Sequence, residues 1–311
     1  MIFDTRPCTL GEGPLWHPER QQLFWFDIIG KRLMTRSDAE PGAGPEEWQF
    51  AEHCSAAGWI DRDRLLIASE TALFRFDLAT GMRHDLCALE ADKPGNRSND
   101  GRADPQGGFW IGTMGKAAEK GAGAVYRYHG GTLRRLYTGV TIPNAICFTP
   151  DGRHAHFADT DLGKVWRVAL DAEGWPASEP EPFLDLAAEG LNPDGAVVDA
   201  EGLFWNAQWG AGRVAAYAPD GSLVRSVSFD APHTSCPAFG GPGMTTLHCT
   251  TALQGMDAAA RAAHPSAGMT FAAREIARGQ AEPRVASAGD AAIAEAVRPQ
   301  PQRLALQHRR L

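Results

Sequence analysis

A pattern that recurs about every 45 residues constrains this chain more than any other feature. Short apolar runs begin at Leu23 (LFWFD), Leu65 (LLIAS), Phe109 (FWIGT), Ala155 (AHFAD), Leu203 (LFWNA) and Thr246 (TLHCT), at spacings of 42, 44, 46, 48 and 43 residues. Each follows a stretch rich in Asp, Gly or Pro, such as DPQGG at 104–108 or TPDGRH at 149–154, which reads as a hairpin turn. Several copies continue into a second alternating strand, at Leu73–Asp77, Ala124–Tyr128, Lys164–Val168 and Arg213–Tyr217. Each unit is therefore a meander of strands. Six of them, with no useful helical periodicity between, predict an all-β chain folded as a six-bladed β-propeller, in which radial repetition buries each sheet against its neighbours. A solenoid or a pair of β-sandwiches is the alternative, because periodicity alone does not force the ring to close.

The propeller is expected to occupy residues 1–285, with Met269–Ile276 as its last strand. Residues 286–311 lack strand alternation, are rich in Ala, Arg and Gln and contain PQPQ. They are expected to form a weakly ordered appendage.

Composition removes several classes of function. With 30 basic against 38 acidic side chains and a net charge of −8, the chain lacks the clustered Lys and Arg of a nucleic-acid groove. No apolar run approaches a membrane span, and MIFDTRPCTLGEGP has neither the basic nor the apolar region of a signal peptide, so a cytoplasmic location is expected. Cys8, Cys54, Cys87, Cys147, Cys236 and Cys249 are far apart and form no CxxC pair. They read as reduced core thiols, not disulfides or zinc ligands.

Four polar stretches are not required by the repeat: Gly11-Glu-Gly-Pro14, Arg97-Ser-Asn-Asp-Gly101, Ile142-Pro-Asn-Ala145 and Asn192-Pro-Asp-Gly195. Glu12, Asn99, Asn144 and Asp194 precede the following marker strand by 11, 10, 11 and 9 residues. A shared phase places them at the same end of a ring. Glu, Asn and Asp side chains offer oxygen ligands of low total charge, suited to a hard divalent cation such as calcium, magnesium or manganese. Taken singly each stretch also reads as an ordinary turn. Glu12 resists that reading best, since Glu is no turn specialist and its flanking glycines let the backbone approach a ligand.

Together, GEGPLW around Glu12, RSNDGRADPQGGFWIGTMG at 97–115, IPNAICFTPDG at 142–152 and NPDGAVVDAEGLFWNAQWGAGRV at 192–214 resemble the gluconolactonase and regucalcin family, also called the senescence-marker-protein family. The likeness runs from about residue 8 to 285. It implies a six-bladed propeller and one divalent metal ion, calcium foremost, with zinc, magnesium, manganese or iron as alternatives. It also implies that Glu12, Asn144 and Asp194 are the metal ligands and that Arg97 and Asn99 contact substrate. One departure bears on substrate identity. Some members carry a substrate-contacting Glu shortly after the Gly-Thr-Met motif, whereas here Gly112-Thr-Met114 is followed by Gly115-Lys-Ala-Ala118, so that contact is absent or replaced by Lys116.

The chemistry expected is hydrolysis of a small-molecule sugar lactone to the aldonic acid, with Asp194 as the base that takes a proton from water. Hydrolysis of other esters or phosphotriesters, or metal binding without catalysis, are the alternatives. No G-x-S-x-G elbow or H-E-x-x-H helix is present, and DTDLGKVWRVAL from Asp159 puts Leu170 where an EF-hand needs Glu. His154 and His156 share a strand face but make a poor site as a pair. Trp209, just past the fifth marker strand, is a candidate for the channel mouth. Oligomeric state is not readable.

Overall fold

The computed structural model describes residues 1–37 and 46–286. The expected tail thus lies, apart from Ala286, outside the described residues. Six four-stranded antiparallel sheets form the structure, and five of them run in simple sequence order from the inner strand outward. The inner strands are Gly11–His17, Cys54–Asp61, Asn96–Ala103, Pro143–Phe148, Asn192–Val198 and Thr234–Gly240. Each packs against the next, and the sixth returns to the first. The ring is closed, and the molecule is a six-bladed β-propeller.

All six marker runs form the second strand of a blade, from Gln22–Asp27 to Thr246–Thr251. Their aromatic and aliphatic side chains fill the spaces between sheets, with Trp25, Trp110 and Trp205 almost wholly buried. Five of the six cysteines are buried with them and all are free.

Two departures concern the ends of the ring. The last strand is shorter than expected, Thr270–Ala273, because Glu275 takes a left-handed φ of 56° and turns the chain off the sheet. Beyond that strand lies Ile2–Asp4, which completes the sixth blade as its outermost strand. First and last segments thus share a sheet, so closure is held by backbone hydrogen bonds. Among the described residues one short α-helix, Ala258–Ala263, is inserted in the same blade and capped by Asp257. No helix among the described residues is long and apolar enough to cross a membrane.

Candidate active site

The four polar stretches open four of the inner strands, and each strand is irregular at the same place. Pairing with the second strand skips between Glu12 and Leu15, Ser98 and Gly101, Asn144 and Cys147, and Pro193 and Ala196. Each skip sets two inner residues against one on the partner, which is a β-bulge, a device that re-aims side chains. The second and sixth blades have a smaller irregularity, between Cys54 and Ala56 and between Thr234 and Cys236. There the residue involved is a buried serine, Ser55 or Ser235. Four blades therefore deliver chemistry to the axis and two deliver packing.

Bulges and side-chain anchors fix the strands that carry the site. Gly13 has φ 53°, and a Cβ there would lie 2.2 Å from the Ser55 carbonyl oxygen, so only glycine fits beside Glu12. Asp27 accepts the N–H groups of Thr9 and Leu10 at 3.1 and 3.0 Å. Asp159 does the same for Thr141 and Ile142 at 2.8 and 3.0 Å. Each carboxylate thus pins the chain just before Glu12 or Asn144.

Glu12, Arg97, Asn99, Asn144 and Asp194 all line one cavity of about 710 Å³ at this end of the ring, within the size range of small-molecule sites. The arrangement expected from phase is the one observed. Arg97 Nη1 donates to Asn99 Oδ1 at 2.7 Å, Asn99 Nδ2 donates to Asn144 Oδ1 at 3.0 Å, and Asn144 Nδ2 donates to Thr160 Oγ1 at 2.8 Å. Thr160 in turn donates to the Pro193 carbonyl at 2.6 Å, next to Asp194. One chain of hydrogen bonds runs across the third, fourth and fifth blades.

The carboxylates are less well supplied. Glu12 accepts from the N–H of its own neighbour Gly13 at 3.2 Å. Burial pushes its carboxyl up to about 8, and the charge of Asp100 adds to the effect, against the pull of Gly13 and Arg97. Asp194 is raised well above the ordinary carboxylate range by burial and then by the charges of Glu12 and Asp100. Arg97 is drawn down to about 10 by its own burial, against the attraction of Glu12, Asp194 and Glu70. Asp100, which motif reading passed over, is pushed up to about 6 by burial although Ile146 N–H donates to it at 2.7 Å. Its place inside the NDG turn signal gave no sign that it would face the axis.

The donor set bears on whether a cation fits. Among the described residues no three His, Cys, Asp or Glu side chains converge to hold a metal, so a resident ion would need the two carboxylates and the Asn144 amide oxygen. Those are hard oxygen donors, and a divalent cation would offset the burial and the neighbouring negative charge that raise both carboxyls. The residues fit such an ion.

Lys116 lies at the rim of the cavity, where its ammonium meets Glu70 at 2.5 Å and donates to the Pro94 carbonyl at 2.9 Å. Trp209 also lines the cavity and stacks on His233 with ring centroids 4.3 Å apart. His156 is remote from the cavity, packed between Phe183 and Phe204, where burial lowers it to about 3. It is a core residue.

Fold and cavity together define a propeller with an oxygen-lined axial site. The chain belongs to the family described as the SMP-30/Gluconolactonase/LRE-like region, whose model matches residues 10–253. A protein of Rhizobium meliloti named "Putative sugar lactone lactonase" is 45% identical over 275 residues, 88% of this chain and 92% of its own. The L-arabinolactonase of Azospirillum brasilense is 35% identical over 92% of this chain and 95% of its own. The crystal structure of a calcium-binding protein, regucalcin, from Agrobacterium tumefaciens superposes with a TM-score of 0.89 at 39% identity, covering 92% of this chain and 97% of that one.

Proposed function

We propose that this protein is a sugar lactone hydrolase that opens an aldonolactone to the aldonic acid with the help of one divalent cation. The observation that carries the reading is the convergence of Glu12, Asn144 and Asp194 with Arg97 and Asn99 on a single cavity. Family membership and lactonase relatives support the reaction class, and the regucalcin likeness supports calcium as the first cation to test.

A lactone is a cyclic ester, so its opening needs a nucleophilic water, a base to take that water's proton and stabilisation of the oxyanion formed at the carbonyl. Glu12, Asn144 and Asp194 would hold the cation, which when bound supplies Lewis acidity toward the carbonyl and an acidified water. Asp194 has a second oxygen with which to accept the water proton. Arg97 presents N–H donors in a fixed fork, suited to neighbouring hydroxyl oxygens on a sugar ring. Asn99 fixes that fork and links it to Asn144, so substrate orientation and the cation ligands share one rigid network. The exposed part of the Trp209 ring gives the cavity an apolar wall. The carboxylate that some family members carry after the Gly-Thr-Met motif is here absent or replaced by Lys116, whose charge is paired with Glu70.

The test is a pH-stat or coupled assay of the purified protein on gluconolactone, galactonolactone, xylonolactone and arabinolactone, with and without chelator and against enzyme-free controls. Turnover of at least one lactone, abolished by chelator and restored by a divalent cation, is the expected result. Cation binding with no lactone turnover would leave a non-catalytic propeller.

A further inference from the structure

The chain does not end at the edge of its last blade. Residues 277–286 pass beneath the ring at the far ends of the inner strands, opposite the cavity, and touch five of the six blades. Gly279 N–H donates to the Met244 carbonyl of the sixth blade at 2.8 Å. Gln280 Nε2 donates to the carbonyls of Val198 and Phe148, in the fifth and fourth, at 2.8 and 3.3 Å. Ala286 N–H donates to Gly107 of the third and Val285 N–H to Trp59 of the second, both at 2.9 Å. Trp59 Nε1 returns a bond to the Glu282 carbonyl at 2.8 Å. The strap makes the channel a one-ended well.

Inside the well the strap contributes one charged group. The Glu282 carboxylate is ion-paired with Arg102 Nη1, and both residues are less than a tenth exposed. Arg102 Nη2 lies 3.4 Å from each of two further carbonyls, Ala196 and Pro237, on the inner strands of the fifth and sixth blades. Arg102 shares its strand with Arg97, Asn99 and Asp100, and its charge acts on Asp100 directly. From top to bottom the axis therefore runs from the Glu12 and Asp194 carboxyls, through Asp100, to Arg102 and then Glu282.

A buried guanidinium without a counter-ion is costly and turns to the nearest carboxylate. With Glu282 neutralised, the carboxylate whose charge still acts on Arg102 is Asp100, and the positive charge would then act on the same cluster that is to hold a dication. We propose that Glu282 is a positioning residue for the cation site: it holds Arg102 at the closed end and cancels its charge, which leaves Glu12 and Asp194 to the ion. The inference rests on the cation reading above but concerns residues that touch neither ion nor lactone. It also gives the strap a role in the chemistry, since the closing segment sets the net charge of the well.

The experiment is titration with manganese(II) alone, read by electron paramagnetic resonance without lactone, alongside thermal unfolding of each variant. Glu282→Gln keeps the shape of the side chain and one acceptor oxygen for Arg102 and removes its charge; manganese affinity is expected to fall about tenfold or more. Removal of both charges in Arg102→Met/Glu282→Leu is expected to restore affinity to within about threefold of the parent protein. Gln280→Ala loosens the strap without changing charge, so it lowers the unfolding temperature and leaves affinity unaltered. Parent-like binding by Glu282→Gln overturns the proposal, as does a loss in Gln280→Ala equal to that in Glu282→Gln, or a double variant as weak as Glu282→Gln. Failure of the parent protein to bind manganese would instead remove the cation reading and this inference with it.

Discussion

The two ends of the axial well are built from the same strands and treat charge in opposite ways. At the closed end Arg102 and Glu282 neutralise each other, and two neighbouring carbonyls accept from Nη2, while Nε has no partner among the described residues. At the mouth burial raises both Glu12 and Asp194, the charge of Asp100 adds to each, and that of Glu12 adds to Asp194. A compensated buried pair can be exchanged for apolar groups with little loss, whereas uncompensated like charges persist where a ligand is to relieve them. The contrast separates the part of the channel that maintains the ring from the part that acts.

The sharpest break in this comparison comes from Asp194→Ala, for which a loss of about 10³-fold in kcat is expected if this carboxylate is the base. Near-parental turnover with full cation occupancy would take Asp194 out of the mechanism. At the closed end Glu282→Leu strands a buried guanidinium, and urea unfolding should register a loss of about 3 kcal/mol or more. Arg102→Met/Glu282→Leu should recover to within about 1 kcal/mol of the parent protein. Equal stability of all three proteins would mean that the pair is not desolvated.

Smaller effects sharpen the account of the mouth. Arg97→Lys keeps the charge and loses the fork, so KM for the best lactone should rise about tenfold with kcat less affected; an unchanged KM would remove Arg97 from substrate binding. The mildest signature is the pH dependence of stability without a cation. Glu12 and Asp194 are held above their unfolded values, so the folded protein binds more protons than the unfolded chain. Their contribution is full below about pH 4 and is lost as pH rises through about 8, the value for Glu12. The unfolding temperature of the cation-free protein should decline by a few degrees over that interval, and calcium should raise it more at pH 8 than at pH 5. An unfolding temperature that rises with pH would mean that the two carboxyls are not strained.

Much of this architecture could be read from spacing. The marker strands were legible because a blade's second strand is buried on both faces and reads as a dense apolar run, and the phase of Glu12, Asn99, Asn144 and Asp194 was legible against them. Ile2–Asp4 was not, because three residues carry no periodicity and its partner strand is some 270 positions away. Asp27, Asp159 and Asp100 were missed for a different reason. A carboxylate in a turn looks the same in sequence whether it caps a loop in water or pins a buried strand. The strap was hidden too, since ARGQAEPRVA has no alternation and acquires meaning only against the floor of a closed ring.

The order of residues alone determined the repeat, the strands, the shared phase of the polar groups and the kind of atom each brings to the axis, because these follow from local geometry and side-chain chemistry. Only the closed tertiary structure decided which buried charges have partners. Ion pairing depends on distance and desolvation, and until the sixth sheet meets the first, Arg102 and Glu282 are 180 residues apart and Glu12 and Asp194 are two acids in water.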